Sequence, residues 1–168
     1  MINVKILVVV DMQNDFIGGS LGSDAAKEIV PKVLDKIKSF EGRVIFTRDT
    51  HSSEYLTTRE GRLLPVVHCI KNSNGWQICD ELKEFATEVV DKTTFGSYDL
   101  PKVIGQAPDE IELCGLCTDI CVISNAMILK AAYPETDIYV DSACCAGVTA
   151  DSHKTALDAM RAVQIVVK

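Results

Sequence analysis

The sequence predicts an α/β fold: a parallel sheet with helices packed on both faces. Three observations predict it. Short apolar β-rich runs alternate with segments of helical period, and no hairpin signal joins one run to the next. The first run, Val4–Val10, is continuously apolar rather than alternating, as in a strand buried on both sides.

Each element follows from its residues. Val4–Val10 is a strand that runs straight into Asp11. Ala25–Phe40 carries Ile29, Val30, Val33, Leu34, Ile37 and Phe40 on one helical stripe. Pro31 is expected in or near the first turn of that helix, where a missing N–H is tolerated. Arg43–Thr47 is the second strand. Ser52–Asn74, with Gly61 and Pro65, is irregular and longer than a structural connection requires. Ile78–Ala86 reads as a short helix, Glu88–Asp91 as the third strand and Glu110–Cys114 as the fourth. Ile120–Ala132 is a helix with Pro134 past its end, and Asp137–Asp141 is the fifth strand. Asp151–Ala162 is a helix capped by Asp151 or Thr149, and Gln164–Val167 is the last strand.

Composition bounds the function. The 168 residues suit one domain spanning 1–168, and a hydrophobic fraction of 47% is enough for one core. No apolar run reaches the roughly 18 residues of a membrane span. Met1-Ile2-Asn3-Val4-Lys5 lacks the pattern of a secretory leader, so a soluble, cytoplasmic protein is expected. A net charge of -7 repels phosphate backbones and anionic lipid, which argues against nucleic acid and membrane partners. The seven cysteines are odd in number, so a disulfide framework is a poor reading and most are expected to be core residues.

Parallel sheets bind ligands beyond the carboxyl ends of their strands. Asp11 follows the first strand, Asp49 and His51 the second, Lys92 the third, and Thr118, Asp119 and Cys121 the fourth. Four strand ends therefore deliver reactive groups to one edge. Cys121 stands where a helix begins, and the N–H groups there favour a thiolate and could hold an oxyanion. A buried structural Cys is the blander alternative. Asp11 at the end of an apolar strand is partly desolvated and suits a general base, or a turn cap. Lys92 between a carboxylate and a thiol would favour their anions; solvation is the default for any Lys. Asp49-Thr50-His51, with His68 across the long loop and Glu60 inside it, offers ligands for zinc, iron or manganese. Surface His and a capping Asp are the plain reading of the same spacing. Cys114-Gly115-Leu116-Cys117 is formally a C-x-x-C, but its first Cys ends a strand rather than opening a helix. His153 is expected to be structural.

These motifs, taken in order, resemble the isochorismatase-like cysteine hydrolases, and within them the nicotinamidases. The resemblance rests on Val8-Val9-Val10-Asp11-Met12-Gln13-Asn14-Asp15-Phe16, on Asp49-x-His51 with His68, on Lys92 with Tyr98, and on Gly115-x-x-Thr118-Asp119-x-Cys121-Val122. Asp141-Ser142-Ala143-Cys144 and His153 also fit. It covers nearly the whole chain and implies a three-layer α-β-α fold whose six parallel strands run in the order 3-2-1-4-5-6. It implies a triad of Asp11, Lys92 and Cys121, a non-proline cis peptide at Leu116-Cys117, and an oxyanion hole from the N–H groups of Cys117 and Cys121.

It further implies a divalent metal on Asp49, His51 and His68, with Glu60 as a fourth ligand. Zinc is the first choice and iron or manganese the alternatives, and no organic cofactor is implied. The expected reaction is hydrolysis of nicotinamide, or a close aromatic carboxamide, through a thioester. The partner is then a small-molecule amide, and a homo-oligomer is a family expectation. Phe16, Tyr55, Leu64 and Trp76 are the candidates for packing on a flat ring. Many nicotinamidases carry Asp-Trp-His-Pro where this chain has Asp49-Thr50-His51-Ser52, so the ligands survive while the pocket wall changes. Two rivals remain: a triad hydrolase of another small amide, carbamoyl amine or vinyl ether, and a non-catalytic binding or redox protein using Cys114 and Cys117.

Overall fold

The computed structural model describes residues 3–168; Met1 and Ile2, which open the segment read for a leader, lie outside the described residues. Strand β1 (Lys5–Val10) leads through a one-turn helix α1 (Asn14–Ile17) into α2 (Asp24–Ser39) and β2 (Arg43–Asp49). The long connection holds a 3-10 turn (Tyr55–Thr57), the short helix α3 (Arg59–Leu63) and a second 3-10 turn (Lys83–Phe85) before β3 (Val89–Lys92). Then follow α4 (Asp99–Ile104), β4 (Glu110–Leu116), a π-turn (Thr118–Val122), α5 (Ile123–Ala132), β5 (Asp137–Ala146), α6 (Ala150–Ala162) and β6 (Val166–Val167). The six strands are ordered β3-β2-β1-β4-β5-β6, and the paired strands are parallel throughout. Among the described residues no helix is long and apolar enough to cross a membrane.

The central strands carry the core. Leu7, Val8, Val9 and Val10 of β1 are fully buried, as are Ile111, Leu113 and Cys114 of β4. Each buried side chain of this size is worth about 1.5–3 kcal/mol relative to exposure. Helix α2 lays Ala26, Ile29, Val30, Val33 and Ile37 on the sheet, and the Ser23 hydroxyl caps it by accepting from the Ala26 N–H at 3.0 Å. Helix α6 begins at a capping box of Thr149 and Ser152, which selects Thr149 over Asp151 as the cap.

Several local expectations are corrected. Pro31 lies well inside α2, not in its first turn, because the Ser23 cap starts the helix early. Both Pro31 and Lys27, whose carbonyl loses its partner, are on the exposed face, where water can satisfy that oxygen. Ile78–Ala86 forms a single 3-10 turn rather than a helix, since Ile78 bridges to Gln13 and Cys79 N–H donates to Met12 O. The irregular stretch contains α3, and α4 was not anticipated. Strands β4 and β5 run past their expected ends.

Their extension depends on Gly115. It adopts φ +116 and passes so close to β1 that a Cβ would stand 2.2 Å from the Val10 carbonyl oxygen. The β4–β5 register also shifts between Leu113 and Gly115. Only glycine fits there, and the close approach draws the end of β4, with Cys117 just beyond, against the end of β1, with Asp11 just beyond.

Candidate active site

Asp11 follows β1 with φ +48, a left-handed backbone that Asp tolerates better than most residues. Its N–H donates to Thr47 O at 3.2 Å, and its own carbonyl accepts from Gln13 N–H at 2.8 Å. The side chain is fully buried, and Oδ1 accepts from the Thr47 hydroxyl at 2.7 Å. Oδ2 lies 2.7 Å from Lys92 Nζ, an ion pair without hydrogen-bond alignment. Lys92, the last residue of β3, is itself buried and donates to Cys121 Sγ at 3.4 Å and to Thr94 O at 3.1 Å. One ammonium thus bridges the carboxylate and the thiol.

The electrostatics follow from burial. Desolvation raises the Asp11 carboxyl above the ordinary carboxylate range, with Lys92 opposing and the Asp49 charge adding. Desolvation also pushes the Cys121 thiol well up, reinforced by Asp11 and opposed by Lys92. For Lys92, burial alone would lower the value, but Asp11, Cys121 and Asp49 together hold it above the usual lysine range. Asp11 and Cys121 therefore share one negative charge beside a fixed cation, rather than both being anions.

Cys121 sits inside the π-turn, just after the cis Leu116-Cys117 peptide. The Cys117 carbonyl, which an α-helical Cys121 N–H would take, instead accepts from Ile120 and Val122 N–H at 3.1 and 3.0 Å. The Asn125 amide donates to Cys121 O at 2.8 Å, and its Oδ1 accepts from Ser97 N–H at 2.9 Å, tying the turn that carries Cys121 to the loop after β3. Thr118 meets His153 Nδ1 at 2.7 Å, so His153 braces the turn from α6, as its structural reading requires.

Ligand atoms of Asp49, His51, Glu60 and His68 all lie within 4.8 Å of one another. Asp49 Oδ2 is 2.9 Å from His51 Nε2 and 3.5 Å from His68 Nε2; Glu60 Oε1 is 3.5 and 3.7 Å from the same two nitrogens. Residues 51 and 70 form a parallel bridge, and His51 N–H donates to Cys69 O at 2.9 Å. That bridge folds the long loop back and delivers His68. His68 Nδ1 faces Val66 O at 2.7 Å, so that nitrogen carries the proton and Nε2 is left as a ligand. Two imidazoles and two carboxylates converging at this spacing fit zinc, iron or manganese. Burial would raise the Asp49 carboxyl, but the His51 and His68 imidazoles beside it and the charge of Lys92 outweigh that and hold it below the usual carboxylate range. Gln13 fixes the Asp49 backbone from both sides: its amide donates to Asp49 O at 2.8 Å and its Oε1 accepts from Asp49 N–H at 2.7 Å.

The two clusters meet at Asp49, whose Oδ1 is 3.6 Å from Lys92 Nζ. Both open on a cavity of about 410 Å³ lined by Phe16, Leu64, Phe95, Ile120 and Val148 alongside Asp49, Glu60, His68, Cys117 and Cys121. Of the four aromatic and aliphatic candidates, Phe16 and Leu64 reach this wall. Tyr55 and Trp76 do not. Tyr55 is buried behind the histidine and carboxylate cluster, its ring 4.6 Å from that of His51 and its hydroxyl donating to Leu64 O at 2.9 Å. Desolvation and Glu60 push that hydroxyl up to about 12. Trp76 donates Nε1 to Thr50 Oγ1 at 2.9 Å and lies under the Arg48 guanidinium at 3.4 Å. Phe95, Ile120, Val148, Gln13, Thr47 and Asn125 were not singled out from the sequence. All seven cysteines are unpaired, and Cys114 is fully buried within β4.

The isochorismatase domain family model matches residues 5–168. The chain belongs to that family. It is 27% identical to a nicotinamidase/pyrazinamidase of Mycobacterium tuberculosis over 183 residues, covering 96% of this chain and 97% of that one. It is 26% identical to a nicotinamidase of Saccharomyces cerevisiae over 188 residues, covering 82% and 87% of the two chains. Among solved structures it is similar to a pyrazinamidase of Pyrococcus horikoshii in complex with zinc, at TM-score 0.83 and 25% identity over 98% of each chain.

Proposed function

We propose that this member of the isochorismatase family is a metal-containing cysteine amidohydrolase that converts nicotinamide and water to nicotinate and ammonia. The observation that carries the reading is the Lys92 ammonium, 2.7 Å from Asp11 Oδ2 and 3.4 Å from Cys121 Sγ, on a cavity that Asp49, Glu60 and His68 also line. Two nicotinamidases and a zinc-complexed pyrazinamidase among its relatives support the choice of substrate.

In this mechanism Asp11 takes the thiol proton and the Cys121 sulfur attacks the amide carbon. As the S–C bond forms, the carbonyl electron pair moves onto oxygen, and the N–H groups of Cys117 and Cys121 receive that anion. Asp11 returns the proton to the amide nitrogen, the C–N bond breaks and ammonia leaves. Water, losing a proton to Asp11, attacks the thioester; the acid departs and the sulfur regains its proton. Lys92 stays charged throughout, so the net charge of the triad never changes during proton transfer. That constancy matters in a site from which water is largely excluded.

Asp49, His51, His68 and Glu60 would hold the metal, zinc in this reading, with iron or manganese the alternatives. When bound it supplies a Lewis-acid contact for the pyridine ring nitrogen. Phe16, whose ring centroid is 5.6 Å from that of His68, and Leu64 flank the ring position. No organic cofactor enters the scheme. A second reading, hydrolysis of another small amide, carbamoyl amine or vinyl ether, draws on Thr50, which engages Trp76 instead of presenting an aromatic wall to the cavity.

The test is an ammonia-release assay on nicotinamide with elemental analysis of the same preparation. Equimolar ammonia and nicotinate, abolished in Cys121→Ala, is the expected result. Metal-replete protein that releases no ammonia from nicotinamide but cleaves a carbamoyl amine supports the second reading. Wild-type turnover by Cys121→Ala overturns both.

A further inference from the structure

We infer that Thr47 is a positioning residue that assigns one particular oxygen of Asp11, Oδ2, to accept the Cys121 proton. The inference rests on the cysteine-hydrolase reading above. Thr47 lies on β2, fully buried, with no water to compete for its hydroxyl. It grips Asp11 twice. Its carbonyl accepts the Asp11 N–H at 3.2 Å, and its hydroxyl donates to Asp11 Oδ1 at 2.7 Å. The backbone grip falls on a residue held at φ +48, a conformation that a free chain adopts seldom.

The side-chain grip breaks the symmetry of the carboxylate. In water its two oxygens are equivalent. Here Oδ1 is engaged, while Oδ2 is, among the described residues, the one buried side-chain nitrogen or oxygen without an aligned hydrogen bond. The Lys92 ammonium at 2.7 Å stabilises the charge on Oδ2, and a carboxylate oxygen paired with one cation still has a second lone pair. A charged, buried acceptor with a lone pair still open is ready to take a proton. The groups that face Asp11 are Lys92 from β3, Cys121 from the π-turn and Asp49 from β2. Of these only Cys121 is a neutral acid able to supply that proton. In the step, the S–H bond of Cys121 breaks, an O–H bond forms on Oδ2, and Lys92 remains an ammonium.

If Thr47 acts through its hydroxyl, shape and chemistry separate cleanly. Thr47→Val keeps the β-branched shape that suits a buried strand and removes the donor. Thr47→Ser keeps the donor and removes a methyl group. A packing role predicts that valine is the milder change; the positioning role predicts the reverse. The experiment uses the metal-replete full chain. Iodoacetamide labelling of Cys121 is followed by peptide mass spectrometry in the absence of any amide, and kcat and KM for nicotinamide are measured alongside.

For Thr47→Val, the Cys121 labelling rate and kcat are expected to fall together by about 10- to 100-fold, the scale of a misplaced catalytic group. KM and metal content are expected to stay at wild-type levels, and Thr47→Ser is expected to keep most of both rates. Thr47→Ala, a second variant without the hydroxyl, should behave like Thr47→Val and serves if valine does not fold. Wild-type labelling in Thr47→Val or Thr47→Ala, or a serine variant as slow as they are, overturns the inference while leaving the hydrolase reading intact. A wild-type chain that neither labels at Cys121 nor releases ammonia overturns that reading and the inference with it.

Discussion

Lys92→Met replaces a buried ammonium by an apolar chain of similar length and tests the charge arrangement directly. Lys92 Nζ lies 2.7 Å from Asp11 Oδ2 and 3.6 Å from Asp49 Oδ1; at an effective dielectric near 20 those pairs attract by roughly 6 and 5 kcal/mol. Desolvation of the ammonium offsets much of this, and breaking a buried pair from one side costs about 3–5 kcal/mol in practice. The cost depends on pH in a way that can be signed. Lys92 has a raised folded value, so its stabilisation is fully present below the ordinary lysine range and is lost only in strong alkali. In the variant, Asp11 loses the main group opposing its desolvation, so its already raised carboxyl rises further. A carboxyl raised on folding is fully stabilising below its unfolded value and loses that stability as pH rises through the folded one. The penalty of Lys92→Met is therefore small in acid and grows toward neutrality. Urea unfolding from pH 4 to pH 8 measures this. Ammonia release should fall by about 10³-fold or more at neutral pH, because the cation that favours the Asp11 and Cys121 anions is gone and the base is less available. A penalty independent of pH, or activity within tenfold of wild type, would show that Lys92 does not govern the Asp11 charge.

Other outcomes follow from the same geometry. Cys121→Ser should lose about 10³-fold or more in ammonia release with little change in stability, since a hydroxyl is a far weaker acid than a thiol; near-wild-type activity would remove sulfur from the mechanism. His68→Ala should leave the triad in place but lower the metal content of the purified protein, and elemental analysis showing full occupancy would contradict the ligand assignment. Glu112, buried on β4 between Lys36 and Lys168, lies outside the cavity. Glu112→Gln should cost about 1–3 kcal/mol in urea unfolding and leave kcat/KM unchanged. Gly115→Ala should destabilise the fold by several kcal/mol and disturb activity, because its Cβ would meet the Val10 carbonyl; a stable, active Gly115→Ala chain would show that β1 and β4 can separate.

The sheet was legible because its strands are buried on both faces. Continuous apolar runs such as Leu7–Val10 have no other economical place in a fold of this size. The reactive residues were legible because parallel strands all point their carboxyl ends to one edge. Legibility failed where a long-range contact overrode local pattern. Pro31 reads as a helix start until the Ser23 cap is known. The apolar spacing of Ile78–Ala86 reads as helix until Gln13 is known to pair with Ile78. Aromatic residues near the metal motif read as ring-stacking candidates. Tyr55 and Trp76 are instead drawn inward, because their polar tips find Leu64 O and Thr50 Oγ1. Beyond Phe16 and Leu64, the apolar cavity wall had no sequence signal. Phe95, Ile120 and Val148 come from three separate connections and share only their position above the sheet edge. Thr47 and Gln13 were hidden for a different reason: each acts on the chemistry only through a neighbour.

Rapid quenching of a single turnover with nicotinamide, followed by peptide mass spectrometry, reads the covalent intermediate directly. A transient nicotinoyl thioester on Cys121 is expected, disappearing as nicotinate is released and absent from Cys121→Ala. Nicotinate formed at full rate with no acyl group on Cys121, or with the acyl group on another residue, would contradict it.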